Sequence, residues 1–345
     1  MLNNSVAFAG IGGAGTNIVL GFERLGYTAI HINSSRQDES SLIGAKNIRH
    51  LKGFDGAAGI RTTGETALAK NVEIVDEIIN LKEQIIFVVF GGGGGTGSGI
   101  APCLCEMLTE ETDKIICAIE VLPSKTEDYD FHVNAYQAAK ELSEIEKLGA
   151  TIFLDNNANG GNRQKINELC VAMLHAFLSN DSVSALGNVD TEERKRILSA
   201  KGNLVINVLN EDKSSTGKAV EILCTNNIYA PIERNTCEYV AIINAKGKDI
   251  DKAEIIKIFG EPRRTFTGYD STQTIIAASR LNYPITYLNE IKELAKEKHN
   301  ARLLTIKESK NVLEDIDFGG SEVKKEEPEK PKKLTRREML KQLRN

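Results

Sequence analysis

Short apolar runs alternate, along the first half of the chain, with segments whose apolar residues recur every three or four positions. The runs predict strands at residues 6–9, 28–32, 85–90, 114–121 and 151–154. The amphipathic segments predict helices at residues 16–25, 66–81 and 134–148. Strands that alternate with helices in this way indicate an α/β fold, a parallel sheet covered on both faces.

A long helical pattern at 163–178 carries an apolar stripe wide enough to predict a helix buried between two domains. A short helix is expected at 192–198, and an amphipathic helix at 285–299. Between them the pattern predicts a second α/β unit, with strands at 204–209, 238–245 and 273–278 and helices at 217–226 and 249–259.

The end of the chain differs from the rest in charge. Residues 324–345 contain nine Lys or Arg against four Asp or Glu, whereas the whole chain has a formal net charge of −5. Such a segment is typical of a flexible basic tail that binds a partner. We therefore predict five parts: a first domain at 1–161, a central helix and loop at 162–202, a smaller α/β domain at 203–284, a C-terminal helix and extension at 285–317, and a disordered basic tail at 318–345.

Composition narrows the class of protein. The 345 residues are 41% hydrophobic and 26% charged, which is ordinary for a globular protein, and the net negative charge argues against a body that binds nucleic acid. The six cysteines form no Cys-x-x-Cys pair, so they are expected to be buried thiols in a reducing compartment. The sequence shows neither a signal pattern nor an apolar run of about 18 residues, so no membrane contact and a cytoplasmic location are predicted.

The richest motif is a glycine run at residues 91–99, which also contains Thr96 and Ser98. It lies between a predicted buried strand and a predicted helix. A strand, a glycine loop and a helix N-terminus together present bare backbone N–H groups to phosphate. A flexible linker is the alternative, but linkers seldom separate a β-branched run from an amphipathic helix.

A second glycine loop follows the first predicted strand. Residues 10–15 match G-x-G-x-x-G, but the acidic residue that a nicotinamide site uses at the end of the next strand is missing. The P-loop pattern G-x-x-x-x-G-K-[ST] is also missing. Residues 56–59 could form a third loop, so the sequence predicts a polyphosphate held mostly by backbone amides rather than a nicotinamide or P-loop site.

The run at 92–99 resembles the tubulin/FtsZ signature G-G-G-T-G-[ST]-G, and residues 10–17 resemble the first phosphate loop of that family. The resemblance extends in order to residue 307. It implies a GTP-binding domain at 1–161, a central helix, an activation domain at 203–284, and head-to-tail assembly of the protein with itself into protofilaments. It also implies GTP and GDP as ligands, with Mg²⁺ between the β- and γ-phosphates.

The resemblance carries site residues onto this sequence. Asn156 and Asn167 are the expected guanine contacts, and Arg163 stands where the family has an aromatic residue that stacks on guanine. Asp130 is the expected ribose carboxylate. No certain metal ligand is identified, with Thr96 and Asp38 as candidates. The expected phosphate contacts are Gly12, Gly13, Ala14, Gly15, Thr16, Asn17, Ala58, Gly59, Gly93, Gly94, Gly95, Thr96 and Gly97.

Residues 188–193, Asn-Val-Asp-Thr-Glu-Glu, resemble the acidic loop that in this family acts on the nucleotide of the neighbouring subunit. Asp190 and Glu193 are then the catalytic carboxylates, which orient the attacking water. Without the resemblance, a solvated acidic turn before a helix is the simpler interpretation. A filament that does not hydrolyse GTP is a further alternative.

The C-terminal features resemble the TubZ branch of the family, which segregates plasmids and prophages. A helix at 285–299 followed by a basic tail is similar to TubZ, and the acidic-apolar end peptide of FtsZ is missing. The resemblance implies a dynamic filament whose tail binds a TubR-like DNA-binding adaptor, and hence DNA only indirectly. The alternatives are an FtsZ-like division scaffold, a phage-positioning filament, or a nicotinamide-dependent oxidoreductase.

Overall fold

The computed structural model describes residues 2–209, 228–234 and 236–308. The elements of the first half are β1 (Val6–Ile11), α1 (Gly12–Arg24), β2 (Thr28–Asn33), α2 (Arg36–Ser40), β3 (Ile48–His50), α3 (Arg61–Ala69), α4 (Glu73–Ile79), β4 (Ile85–Gly91), α5 (Gly95–Glu111), β5 (Ile115–Leu122), α6 (Tyr129–Glu144) and β6 (Ala150–Asp155).

The second half of the described chain begins with α7 (Arg163–Ser179), which connects it to the first. The elements that follow are α8 (Thr191–Ser199), β7 (Gly202–Leu209), β8 (Tyr239–Ala245), α9 (Lys252–Phe259), β9 (Arg264–Ser271), β10 (Thr274–Leu281) and α10 (Ile285–Glu308). This is the predicted α/β architecture. The predicted helix at 217–226 and the tail at 318–345 lie outside the described residues.

The strands form one sheet in the order β3-β2-β1-β4-β5-β6-β7-β10-β8-β9. All pairs from β3 to β7 are parallel, β10 is antiparallel to both of its neighbours, and β8 is parallel to β9. The chain leaves β1 toward β2 on one side and returns to β4 on the other. In parallel sheets such a switch point opens a crevice at the carboxyl ends of the strands, where ligands bind.

Two apolar clusters hold helices on the two faces of the sheet. The first combines α1, α7, α8 and α9 with strands from both halves of the chain, and the second combines α3 to α6 with α10. Helix α7 buries Ile166, Cys170, Leu174 and Phe177 in the first cluster. The prediction of a helix packed between the two halves is therefore confirmed.

Two short register pairs connect the two halves of the sheet. Ala150 pairs with Gly202 and Thr151 with Asn203, so β6 and β7 continue one sheet rather than two. The domain boundaries proposed from the sequence remain predictions.

The predicted helix at 66–81 is wrong in one respect, because it is divided into α3 and α4. The side chain of Asn71, which is fully buried, causes the break. Its Nδ2 donates to the carbonyls of Ala67 at 2.8 Å and Lys52 at 3.3 Å, and its Oδ1 accepts from the Lys52 N–H at 2.9 Å. An asparagine that bonds backbone groups in this way ends a helix.

The cysteines are free thiols wherever the structure describes them. Four of these five are buried, and burial raises the pKa of Cys117, Cys170 and Cys237 to about 12. They are protonated at neutral pH and act as small apolar residues. Among the helices of the described ranges, none is both long and apolar enough to cross a membrane.

Candidate functional site

A cavity of about 400 Å³ opens at the carboxyl ends of β1 and β4, at the switch point of the sheet. Backbone from several loops forms most of its wall. The lining residues are Ile11, Gly12, Gly13, Ala14, Ser35, Asp38, Gly56, Ala57, Ala58, Gly59, Gly91, Gly93, Gly94, Gly95, Thr96, Gly97, Val121, Pro123, Glu127, Phe131, Asn156 and Arg163.

Two helices begin at this cavity. Helix α1 starts at Gly12 and helix α5 starts at Gly95, and neither N-cap residue, Ile11 or Gly94, offers a side-chain hydrogen bond to the helix. The first N–H groups of a helix have no partner within the helix and carry the positive end of its dipole. Two such ends at one cavity make a site for a polyanion.

The two loops also pack so closely that glycine is required at particular positions. A Cβ on Gly15 would stand 2.0 Å from the carbonyl oxygen of Val89. Gly12 has a φ of +66°, and a Cβ there would lie 3.2 Å from the N of Gly97. Gly94 differs, because a Cβ there would meet no heavy atom of the described chain within 4 Å, apart from its neighbours.

The loop at 56–59 covers the start of α5. Ala58 has a φ of 48° and Gly59 one of 76°, so the chain reverses sharply there. A Cβ on Gly95 would lie 2.5 Å from the N of Ile60, which shows how closely the two backbones approach. Asn134, on α6, fixes both loops by donating to the carbonyls of Gly59 at 2.8 Å and Gly93 at 2.9 Å. Sequence reasoning missed Asn134, since only the tertiary structure brings α6 to these loops.

Oxygen-bearing side chains lie at one side of the cavity. The Thr96 and Ser34 hydroxyls are 2.8 Å apart, and Asn33 Nδ2 donates to Asp38 Oδ2 at 3.5 Å. A Cβ on Gly13 would lie 3.1 Å from the same Asp38 oxygen. Such oxygen donors fit Mg²⁺, which also keeps phosphate and water ligands. Within the described ranges, no group of three or more His, Cys, Asp or Glu residues could hold a metal ion by itself.

The opposite side of the cavity fits a base. Asn156 and Arg163 both line the cavity there. The Arg163 guanidinium pairs with Glu127 at 3.0 Å and is more than half exposed, so its planar face can accept a ring. Asn17 and Asn167 line an adjoining groove between α1 and α7 rather than this cavity.

Two residues expected at the site take other places in the structure. Thr16 is fully buried, and its hydroxyl donates to the carbonyl of Gly12 at 2.9 Å, so its side chain stabilises the start of α1. Asp130 is exposed in the first turn of α6 and is not among the residues that line the cavity. Of the acids between β5 and the first turn of α6, Glu127 lines the cavity, and Glu127 Oε2 accepts from the Ser124 N–H at 2.6 Å. Glu127 lies three residues after Ser124, whereas Asp130 lies six residues after it. The shorter distance from the Pro-Ser pair is the sequence signal that could have identified Glu127.

Asp190 and Glu193 form a capping box at the start of α8. Asp190 Oδ1 accepts from the Glu193 N–H at 2.8 Å, and Glu193 Oε2 accepts from the Asp190 N–H at 3.1 Å. Each carboxylate keeps a second oxygen, and the Asp190 side chain is exposed. The capping box therefore fixes both side chains and uses only one oxygen of each carboxylate.

Helix α7 separates this acidic loop from the cavity. Arg163 at its first residue lines the cavity, and the loop begins after Ser179, 17 residues later. At a rise of 1.5 Å per residue the helix is about 25 Å long. The loop is held at that far end, where Asn180 Nδ2 donates to Ser271 Oγ at 2.9 Å. Asp190 and Glu193 are therefore too far away to act on a ligand in the cavity of the same molecule.

Arg194 fixes the acidic loop to the end of α7. It is buried, and Nη1 donates to the carbonyls of Phe177 at 3.2 Å and Asn180 at 2.7 Å, while Nε donates to that of Asp190 at 3.3 Å. Burial lowers its pKa, although the charge of Asp190 opposes that effect. Unpaired carbonyls at a helix end attract a cation, so Arg194 is a positioning residue that the sequence did not reveal.

Family models match both halves of the chain. Residues 27–160 match the GTPase domain of the Tubulin/FtsZ family, and residues 193–282 match the C-terminal domain of the tubulin-like protein TubZ. The tubulin-like protein TubZ of Clostridium botulinum C phage is 29% identical over 323 residues, which is 90% of this chain and 88% of that protein. The tubulin-like protein CetZ of Pyrococcus furiosus is 29% identical over 213 residues, 56% of this chain and 58% of that protein.

Solved structures agree with these matches. The crystal structure of Clostridium botulinum phage c-st TubZ has a TM-score of 0.78 at 28% identity, covering 87% of this chain and 99% of that one. The helical model of the TubZ-Bt two-stranded filament has a TM-score of 0.74 at 17% identity, covering 92% and 95% of the two chains, and shows the same fold.

Gly94→Ala should weaken GDP binding without harming the fold. Its φ of −76° is ordinary for alanine, and the new methyl group would enter open space at the start of α5. We expect GDP to bind at least about tenfold more weakly, because the methyl displaces a phosphate oxygen from the bare N–H groups. Isothermal titration calorimetry of GDP gives the affinity, and a thermal melt without nucleotide gives the stability.

Gly15→Ala is the matched comparison, because the same methyl group would collide with the carbonyl of Val89. That variant should lose several degrees of melting temperature or fail to fold. Wild-type GDP affinity in Gly94→Ala would contradict the assignment of the phosphate site.

Proposed function

We propose that this chain is a member of the tubulin/FtsZ family, a GTPase that assembles head to tail into dynamic cytoplasmic filaments and segregates a plasmid or phage replicon. GTP hydrolysis occurs at the junction of two copies and depends on self-assembly. The observation that supports this most strongly is the distance of about 25 Å between the cavity and the acidic loop, set by the length of α7.

The cavity and the adjoining groove offer contacts for the phosphates, the ribose and the base of a guanine nucleotide. The N-termini of α1 and α5 bind the phosphates, and the loop at 56–59 closes over the terminal one. Asn156 reads the guanine edge, and Arg163 stacks on the ring. Asn167 and Asn17 complete the base end from the adjoining groove, and Glu127 accepts from the ribose hydroxyls.

Asp38 and Thr96 would hold Mg²⁺ together with the phosphate oxygens. The cation would neutralise charge on the β- and γ-phosphates, which is the usual need in phosphoryl transfer. The role of the protein here is to hold the phosphates in one position, through the N-termini of α1 and α5.

Hydrolysis requires a water molecule aligned with the γ-phosphate, and the acidic loop of the next copy supplies the groups that align it. Asp190 and Glu193 are held in place by their mutual capping bonds and by Arg194. Phosphoryl transfer depends mainly on positioning and on control of charge. Because the two halves of the site lie on opposite ends of one molecule, hydrolysis follows assembly.

Exposed apolar side chains at both ends support the head-to-tail contact. Val183 is 83% exposed and Leu186 is 75% exposed, and both lie in the loop that leads to Asp190. At the cavity end, Ile60 is 54% exposed directly after Gly59. Val183 and Leu186 lie three residues apart, so they can form one apolar contact surface on this loop. This surface supports a contact between the acidic loop and the cavity end of the next copy.

The replicon role rests on the TubZ relationship and on the basic tail at 324–345. The tail binds a TubR-like DNA-binding adaptor and so tracks DNA indirectly, as its positive charge favours. An FtsZ-like or CetZ-like role is the second candidate, since proteins of both names also match this chain. The match of residues 193–282 to the TubZ C-terminal domain favours the first.

Glu193→Gln should separate hydrolysis from assembly. Glutamine keeps the capping bond to the Asp190 N–H but removes the charge. Filaments should still form with GTP, while phosphate release falls on the order of a hundredfold. Electron microscopy and a phosphate-release assay at the same protein concentration measure the two effects.

Glu193→Ala serves as the comparison that removes the charge and the cap together. It should lose as much phosphate release as Glu193→Gln and about 1 kcal/mol of stability in addition. Normal turnover by Glu193→Gln would contradict the catalytic assignment of this carboxylate.

Val183→Asp and Leu186→Asp should prevent assembly. Both side chains are exposed, so the fold tolerates the change, but a carboxylate cannot enter an apolar contact without a large desolvation cost. The critical concentration in a sedimentation assay should rise at least about tenfold, with unchanged GDP affinity. Ile285→Asp, at a residue that is 55% exposed in a different part of the surface, is the control. If all three variants and the wild type had the same critical concentration, the proposed contact through Val183 and Leu186 would be refuted.

A chain that ends at residue 323 should polymerise normally but lose adaptor binding, because it lacks the basic segment. Co-sedimentation of preformed filaments with an adaptor–DNA complex measures this. Undiminished capture of the complex by the shortened chain would show that the tail has another role.

A further inference from the structure

The last described helix, α10, is fastened to the loop that carries Glu127. We define the sugar loop as residues 123–128, between β5 and α6. Lys298 on α10 donates from Nζ to the carbonyl of Lys125 at 3.0 Å and also to the carbonyl of Glu127. One ammonium group thus holds two backbone carbonyls on either side of a turn in the sugar loop.

The hydrogen bonds from Lys298 affect the position of the Glu127 side chain. The Lys298 ammonium donates to the backbone carbonyl of Glu127 and so fixes the backbone there. The carboxylate of the same residue lines the cavity and pairs with Arg163 at 3.0 Å. Charge-assisted hydrogen bonds to partly buried groups are the stronger ones in proteins. The position of α10 therefore sets the position of the carboxylate that faces the ribose.

A second contact from α10 reaches the residues around Asn156. The Tyr287 hydroxyl donates to Asp155 Oδ1 at 2.9 Å and accepts from Asn157 Nδ2 at 3.0 Å. Asn157 Oδ1 in turn accepts from the Lys125 N–H at 2.9 Å. The guanine-facing Asn156 thus lies between two residues that α10 holds, and one of these also bonds to the sugar loop.

Packing, rather than these polar bonds, holds the helix on the protein. Tyr287, Leu288 and Ile291 are buried and belong to the same apolar cluster as α6, and Ala295, one turn further along the helix, is buried as well. Removal of the Lys298 ammonium therefore leaves α10 docked and changes only its hold on the sugar loop. The effect of Lys298 on the ligand can be tested apart from its effect on folding.

We propose that α10 is a positioning element for the nucleotide, and that Lys298 places the sugar loop so that Glu127 meets the ribose hydroxyls. This inference rests on the proposed function, since it assumes a guanine nucleotide in the cavity.

The test compares two ligands on the full-length protein below its assembly concentration. GDP has both ribose hydroxyls, whereas 2′,3′-dideoxy-GDP has neither, so the ratio of their affinities reports the ribose contact alone. The wild type should prefer GDP. Lys298→Met, which keeps the aliphatic stem, should weaken GDP binding roughly tenfold and dideoxy-GDP binding little, so that the preference disappears.

Two further variants complete the design. Lys298→Arg retains a donor and should restore most of the preference for GDP. Lys296→Met is the matched control, because Lys296 lies on the same helix but pairs with Glu293 at the surface. It should behave like the wild type.

The outcomes separate this inference from the proposed function. If Lys298→Met weakens both ligands equally, or keeps the wild-type preference for GDP, the positioning role is overturned while the nucleotide site stands. If the wild type binds neither ligand, the proposed function itself fails.

Discussion

Two helix N-termini without side-chain caps meet at one cavity, and the rest of the structure depends on this arrangement. The uncapped N–H groups of α1 and α5 favour an anionic ligand, and a nucleotide triphosphate is such a ligand. The arrangement is possible only because the backbones of the two loops touch, which excludes a side chain at Gly15 and strongly disfavours one at Gly12. The sheet order places both loops at one switch point, so topology and glycine content specify the same site.

Helix α7 then determines how the site can work. It begins at the cavity and ends at the acidic loop, where Arg194 fastens the loop to the helix end. A molecule built in this way holds the nucleotide at one end and the carboxylates at the other. The length of α7 keeps the acidic loop away from the cavity of the same copy, which is why we propose that a neighbouring copy completes the site. The exposed Val183 and Leu186 lie in the same loop as the two carboxylates, so the proposed contact would bring those carboxylates to the next copy.

The sequence predicts those parts of the fold that depend on local pattern. The strands β1 and β4 are continuous apolar runs, and a glycine loop follows each directly, so the phosphate site could be found without coordinates. Strand β9 was missed because its residues, Arg-Thr-Phe-Thr-Gly-Tyr-Asp-Ser, are mostly polar and show no continuous apolar run. The break between α3 and α4 was missed because the buried side chain of Asn71 causes it.

Within the site, tertiary contacts choose among residues that look alike in the sequence. Asp130 and Glu127 are both acids near one loop, and only the fold shows that Glu127 faces the cavity. The bonds of Asn134, Arg194 and Lys298 each join segments far apart in sequence. The spacing of apolar residues along the chain does not predict such contacts, because they arise when helices and strands pack against each other.

Complementation between two inactive variants tests the central claim most directly. At a GTP concentration that loads Glu193→Gln but is too low to load Gly94→Ala, the second variant keeps its acidic loop without nucleotide, whereas the first holds nucleotide but lacks the carboxylate. If one copy completes the site of the next, a mixture of the two should release phosphate well above the sum of the separate variants. A mixture as inactive as its components would show that each molecule must hydrolyse its own nucleotide, and would contradict the account.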